Sequence, residues 1–141
     1  MANLAKIIIV DAGPLAAAAS PGEAANHAWA VKALGAPRGR FVTFESALAE
    51  AQHATGNDAR AIARLRAYVS KMDVVPVATR KENREKLYDK ITRHAPRMDF
   101  ADACAVALQE EMPNSFVLTL DHEDFSAYRV PFGSPKGMFY A

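Results

Sequence analysis

Apolar and polar positions alternate along this chain in a regular order of short blocks. Ile7-Ile8-Ile9-Val10 is an unbroken β-branched run between Lys6 and Asp11. Such a run suits a strand buried on both faces, as in a parallel sheet. Pro14 is placed for a first helical turn, and Leu15 to Ser20 reads as a short Ala-rich helix closed by Pro21-Gly22. Glu23 to Leu34 is a predicted second helix, stopped by Gly35. Phe41 to Phe44 is a second strand. Helical sequence runs from Ser46 to Thr55, breaks at Gly56-Asn57, and resumes from Asp58 to Ser70. Asp73 to Val77 is a third strand, and Pro76 cannot donate to a ladder, which puts this strand at a sheet edge. Thr79 to His94 is a charged helix, Pro96 interrupts, and Asp99 to Glu111 is another helix. Phe116 to Leu120 is a buried strand, and Tyr128-Arg129-Val130 reads as a short last one. The tail from Pro131 to Ala141, rich in Gly and Pro, is expected to be irregular.

Strands thus alternate with helices throughout, which argues for an α/β fold, a parallel sheet covered by helices on both faces. The length of 141 residues fits one domain, 1–141, with its core over about 6–130. Half of the chain is hydrophobic, and 29 residues are Ala, the best helix former. A net charge of +1 supplies no global field towards nucleic acid or membrane, so any such binding needs a local patch. The single cysteine, Cys104, excludes an internal disulfide and argues against a Cys-based zinc site. It suits a reducing cytoplasm. The N-terminal apolar run is too short for a signal segment or a membrane span.

Ligands of open α/β sheets sit at the carboxyl ends of the strands, near the reversal of strand order. Acids stand at these ends. Asp11 follows the first buried strand and Asp121 the last strongly buried one. Each has a plain alternative, Asp11 as a helix cap and Asp121 as a turn residue. Asp99 and Asp102, three apart, open a helix on one face, where Asp99 also reads as the N-cap and Asp102 as a favourable first-turn charge. Glu50 lies among alanines in Ala47-Leu48-Ala49-Glu50-Ala51, and Glu45, beside a strand end, is its rival; spacing leaves the two open. Carboxylates converging on one crevice repel, and a divalent cation relieves them. All-oxygen ligands favour Mg²⁺ or Mn²⁺, one or two ions, able to activate water and clamp a phosphodiester.

Four segments in order, Ile7 to Leu15, Leu48-Ala49-Glu50-Ala51, Met98-Asp99-Phe100-Ala101-Asp102-Ala103, and Leu118 to Phe125, resemble a PIN domain, similar to the VapC-like ribonuclease toxins. The resemblance covers roughly residues 6 to 130. It implies a three-layer α/β/α sandwich around a mainly parallel sheet of about five strands, order 3-2-1-4-5, with strands 1 and 4 adjacent. It implies a metal-dependent endoribonuclease whose acidic quartet is Asp11, Glu50, Asp102 and Asp121. Asp99 would assist as a further metal-site carboxylate, Asp124 is the rival for the fourth place, and Thr119 matches a supporting hydroxyl. Ala12 departs from the family, which usually carries Ser or Thr there. An antitoxin protein and a homodimer are also implied. The apolar positions Leu15, Trp29, Val31 and Leu34 are candidates for such a surface.

A nuclease also needs a surface that tracks the RNA backbone. Between Arg80 and Arg97, seven Lys and Arg face three carboxylates. Arg80, Lys81, Arg84, Arg93 and Arg97 are the candidate contacts, with Arg60, Arg64, Arg66 and Lys71 as a second basic stretch. A solvated helix with internal pairs is the plain alternative. Trp29 and Tyr88 are candidates for base stacking. Two other functions stand beside the nuclease. One is a non-catalytic PIN-like module that binds RNA or protein. The other is a receiver-type domain, which lacks its required Asp at the third strand's end.

Overall fold

The computed structural model describes residues 6–35 and 39–139. Six strands form one sheet among these residues. They are β1 (Ile7–Val10), β2 (Arg40–Phe44), β3 (Asp73–Val75), β4 (Ser115–Leu118), β5 (Phe132–Ser134) and β6 (Gly137–Phe139). The sheet order is β3-β2-β1-β4-β5-β6. Every pairing is parallel except the last, where β5 and β6 form an antiparallel hairpin.

Among the described residues, seven helices fill the crossovers: α1 (Ala12–Ala19), α2 (Ala24–Leu34), α3 (Glu45–Ala54), α4 (Ala59–Val69), α5 (Lys81–Arg93), α6 (Phe100–Glu111) and α7 (His122–Tyr128). Helix α1 packs on α2, α3 and α4, whereas α5 packs on α6, which lies against β1 and β4. The result is the α/β/α sandwich anticipated from the alternation of elements. Ile9, Val10, Leu15, Val117 and Leu108 are buried at its centre. Each such side chain contributes roughly 1.5–3 kcal/mol on burial. Leu15 and Leu34 belong to this core, so they offer no partner surface; Val31 alone of the four candidates is exposed, and Trp29 is partly buried against the core.

Helix ends follow the local chemistry. Asp58 and Asp99 cap α4 and α6 by accepting from the backbone N–H groups of Ala61 and Asp102, at 2.9 and 2.8 Å. Gly35 closes α2. Strand β3 is indeed at the edge, and it ends one residue before Pro76, so the ladder never meets the missing donor.

The C-terminal third differs from expectation. Tyr128-Arg129-Val130 is not a strand: Tyr128 ends α7 and Arg129 adopts the left-handed conformation at φ 60° that terminates it. The last strands lie beyond, at Phe132–Ser134 and Gly137–Phe139, so the sheet has six strands and this part of the tail is regular. The hairpin is held by stacking of Phe132 on Phe139, with ring centroids 5.2 Å apart, and by the His122 ring set edge-on against both. Gly133 lets the Met138 sulfur lie close over β5, 2.7 Å from where a Cβ would stand, so a larger residue there would make the exposed Met138 side chain swing aside. Tyr140 and Ala141, the end of that tail, lie outside the described residues.

Candidate functional site

Pairing of β1 with β4 brings their carboxyl ends together, and each end leads into an acid. Asp11 N–H donates to the Leu118 carbonyl at 3.0 Å, which extends the ladder one step past β1. Gly13 lets the start of α1 approach the Leu120 side chain, 3.0 Å from where a Cβ would stand. Asp11 and Asp121 therefore face one crevice. Helix α6 delivers Asp102 to it from the first turn.

Among the described residues, Asp11, Asp102 and Asp121 form one group whose nearest ligand oxygens all lie within 4.8 Å of one another. Asp11 and Asp102 are buried, while Asp121 opens to solvent. Asp11 Oδ1 accepts from the Ala12 N–H at 2.9 Å, so this residue is the predicted helix cap as well as a member of the cluster. Its Oδ2 accepts from the Thr119 hydroxyl at 3.0 Å, and the same hydroxyl oxygen accepts the Asp121 N–H at 3.1 Å. Asp121 begins α7, but its side chain makes no capping bond, which leaves the carboxylate for the crevice. Asp102 Oδ2 accepts from the Tyr128 hydroxyl at 2.7 Å.

Burial first, and mutual repulsion second, raise these acids together. Burial raises Asp11 to about 7, and the neighbouring charges of Asp121 and Glu50 push the same way, against the hydrogen bonds from Ala12 and Thr119. Burial likewise raises Asp102 to about 8, with Asp99, Asp11 and Asp121 adding to it and Tyr128 opposing. Glu50 and Asp121 are also raised, first by desolvation; Asp99 and Asp121 act on Glu50, and Asp124 and Asp99 on Asp121. Protons hold such a set together without metal, and a divalent cation can replace them. The donor set is all oxygen, with two buried members, and fits Mg²⁺ or Mn²⁺.

The other sequence candidates fall around this group. Glu50 is exposed on α3, and its charge acts on Asp11. Its rival Glu45 lines a separate cavity of about 230 Å³ with Ser46, Phe100 and Cys104. Asp99, exposed, caps α6 and acts electrostatically on Asp102, Glu50 and Asp121. Asp124, the rival of Asp121, forms an ion pair with Arg97 at 3.0 Å and stands outside the group of three. Tyr128 is the residue that sequence reasoning missed. Its only signal was that a buried tyrosine hydroxyl usually finds a partner.

The basic residues divide by what they already hold. Arg80 pairs with Glu82, Arg84 donates to the carbonyls of Ala78 and Thr79, and Lys90 pairs with Glu110. Arg64 donates to the Ala19 carbonyl at 2.6 Å, so that member of the second basic stretch ties α4 to the end of α1. Tyr88 is 58% exposed beside Phe100.

No protein-family model and no curated protein matches the chain. A solved structure does: the fold is similar to that of Mycobacterium tuberculosis VapC20, a sarcin-ricin loop cleaving toxin, with a TM-score of 0.71 at 21% identity. The match covers 85% of this chain and 94% of the toxin. No helix among the described residues is long and apolar enough to cross a membrane. By its strand order, its helical layers and this match, the chain has the fold of that toxin, which is the fold the PIN-domain resemblance implies.

Proposed function

We propose that this protein is a Mg²⁺- or Mn²⁺-dependent endoribonuclease that hydrolyses RNA phosphodiesters, acting as the toxin of a toxin–antitoxin pair. The observation that carries this reading is the convergence of Asp11, Asp102 and Asp121 at the strand ends, two of them buried. The likeness to an RNA-cleaving toxin gives the choice of substrate. In this reading Asp11, Asp102 and Asp121 hold the cation, Glu50 closes the site from α3, and Asp99 assists from the α6 cap. When bound, a divalent cation supplies an activated water and neutralises charge at the phosphate. The chain's own residues orient and exclude. Thr119 and Tyr128 fix the two buried carboxylates. Lys81 and Arg93 guide the RNA backbone, with Arg80, Arg84 and Arg97 able to exchange their present partners for phosphates. A homodimer and a protein antitoxin that covers the acids complete this reading.

The test is cleavage of total RNA by the purified chain in Mn²⁺ or Mg²⁺ against EDTA, with Asp11→Asn and Asp102→Asn as controls. Metal-dependent cleavage by the wild type, lost in both folded variants, is the expected result. Unchanged cleavage by folded Asp102→Asn contradicts the assignment.

A further inference from the structure

The group of three acids contains two buried members, and each receives one hydroxyl. Thr119 serves Asp11; Tyr128 serves Asp102. The second arrangement involves a residue outside every motif that suggested the site. We infer that Tyr128 is a positioning residue for the metal centre: its buried hydroxyl holds Oδ2 of Asp102 and so fixes which face of that carboxylate meets a divalent cation. This inference rests on the metal-site reading given above.

Three observations support it. The first is geometry. The 2.7 Å bond joins two side chains that are 7% and 5% exposed, so water does not compete for it. A carboxylate turns readily about its terminal torsion, whose minima are broad. A donor fixed on one oxygen removes that freedom and orients the remaining lone pairs. The second is support for the donor itself. The Tyr128 ring meets His94 and Phe125 edge-on, with centroids 5.2 and 5.1 Å away. Arg129 turns left-handed directly after it, Val130 is buried, and the Pro131 carbonyl accepts from Val117 N–H at 3.0 Å. The hydroxyl is therefore set by packing on both sides and by the sheet beyond.

The third is topology. Helix α7 is seven residues long, with Asp121 at its N-cap and Tyr128 as its last residue. One short rigid element carries a candidate ligand at one end and the orienting group of another ligand at the other. Partners of ligands matter because they set direction and basicity, and losing one typically costs 10–100-fold in metal affinity or activity.

The experiment is calorimetric titration of the full chain with Mn²⁺ alone, comparing wild type, Tyr128→Phe and Phe125→Leu. Tyr128→Phe keeps the ring and its contacts and removes only the hydroxyl. Phe125→Leu loosens the same packing without touching Asp102. Circular dichroism confirms folding of each. The expected result is a Kd for Mn²⁺ raised about tenfold or more in Tyr128→Phe, with Phe125→Leu close to wild type. A Tyr128→Phe affinity equal to wild type overturns the inference, and so does an equal loss in both variants, since packing then accounts for it. Failure of the wild type to bind Mn²⁺ overturns the metal-site reading itself, a different outcome from the other two.

Discussion

Thr119 and Asp11 stand 108 positions apart in the chain and are joined by one buried hydrogen bond of 3.0 Å. The bond spans the neighbouring strands β1 and β4 at their carboxyl ends. Thr119 is fully buried, and its oxygen also takes the Asp121 N–H, so one hydroxyl ties both strand-end acids into a single geometry.

Replacing Thr119 with Val removes both bonds at nearly constant shape. The buried Asp11 carboxylate and the part-buried Asp121 N–H then lose their partner, at a cost of about 1–3 kcal/mol, most of it from Asp11. Urea unfolding in EDTA should show this loss, and Mn²⁺ affinity should fall about tenfold as Asp11 loses its orientation. Unchanged affinity would place Thr119 in the fold alone.

Without metal, stability should fall as pH rises. In the folded chain Asp11 keeps its proton up to about 7 and Asp102 up to about 8, whereas the unfolded carboxyls release theirs near 3.8. The folded state thus binds more protons across this window. The stabilisation from holding them is complete below the unfolded value and is lost as pH rises through the folded ones. Melting temperature in EDTA should drop between about pH 5 and about pH 8. Mn²⁺ displaces those protons, so its stabilising effect should be larger at the upper end. A flat or rising melting temperature in EDTA contradicts the protonated cluster.

Basic residues should separate by their present partners. Lys81→Ala and Arg93→Ala should weaken RNA binding across sequences and each lower its salt dependence by about one unit. Arg64→Ala should leave RNA binding alone and destabilise the fold by about 1 kcal/mol, because its guanidinium serves the Ala19 carbonyl. Filter binding at several salt concentrations, with melting curves alongside, distinguishes the two kinds.

Most of the fold was readable in the chain because its signals are local. Ile7 to Val10 is a β-branched run that suits a strand covered on both faces, and Pro76 marked β3 as an edge. The strand ends then located Asp11 and Asp121, and helix spacing located Asp99 and Asp102. The region after Asp121 resisted the same treatment. Helix α7 is too short to display a period, and β5 contains Gly133, which carries no strand propensity and lies under the Met138 side chain. Tyr128-Arg129-Val130 carried the stronger local strand signal, and the helix ending at Arg129 overrode it. The Tyr128–Asp102 bond is tertiary geometry that no spacing announces. The choice between Glu45 and Glu50 was also invisible to spacing, since it depends on which side of α3 faces Asp11.

The most direct measurement is thermal melting of wild type and Asp102→Asn, each in EDTA and in Mn²⁺. The variant's amide oxygen still accepts from Tyr128, so the charge changes and the packing stays. Mn²⁺ at one hundred times its Kd should add about 2.7 kcal/mol to the wild type and much less to the variant. In EDTA near pH 8 the variant should melt above the wild type, because the cost of ionising a buried acid beside other carboxylates is gone. If neither protein responds to Mn²⁺ and the variant is neutral or weaker in EDTA, the acids are not a cation site, and the binding-module reading replaces the nuclease.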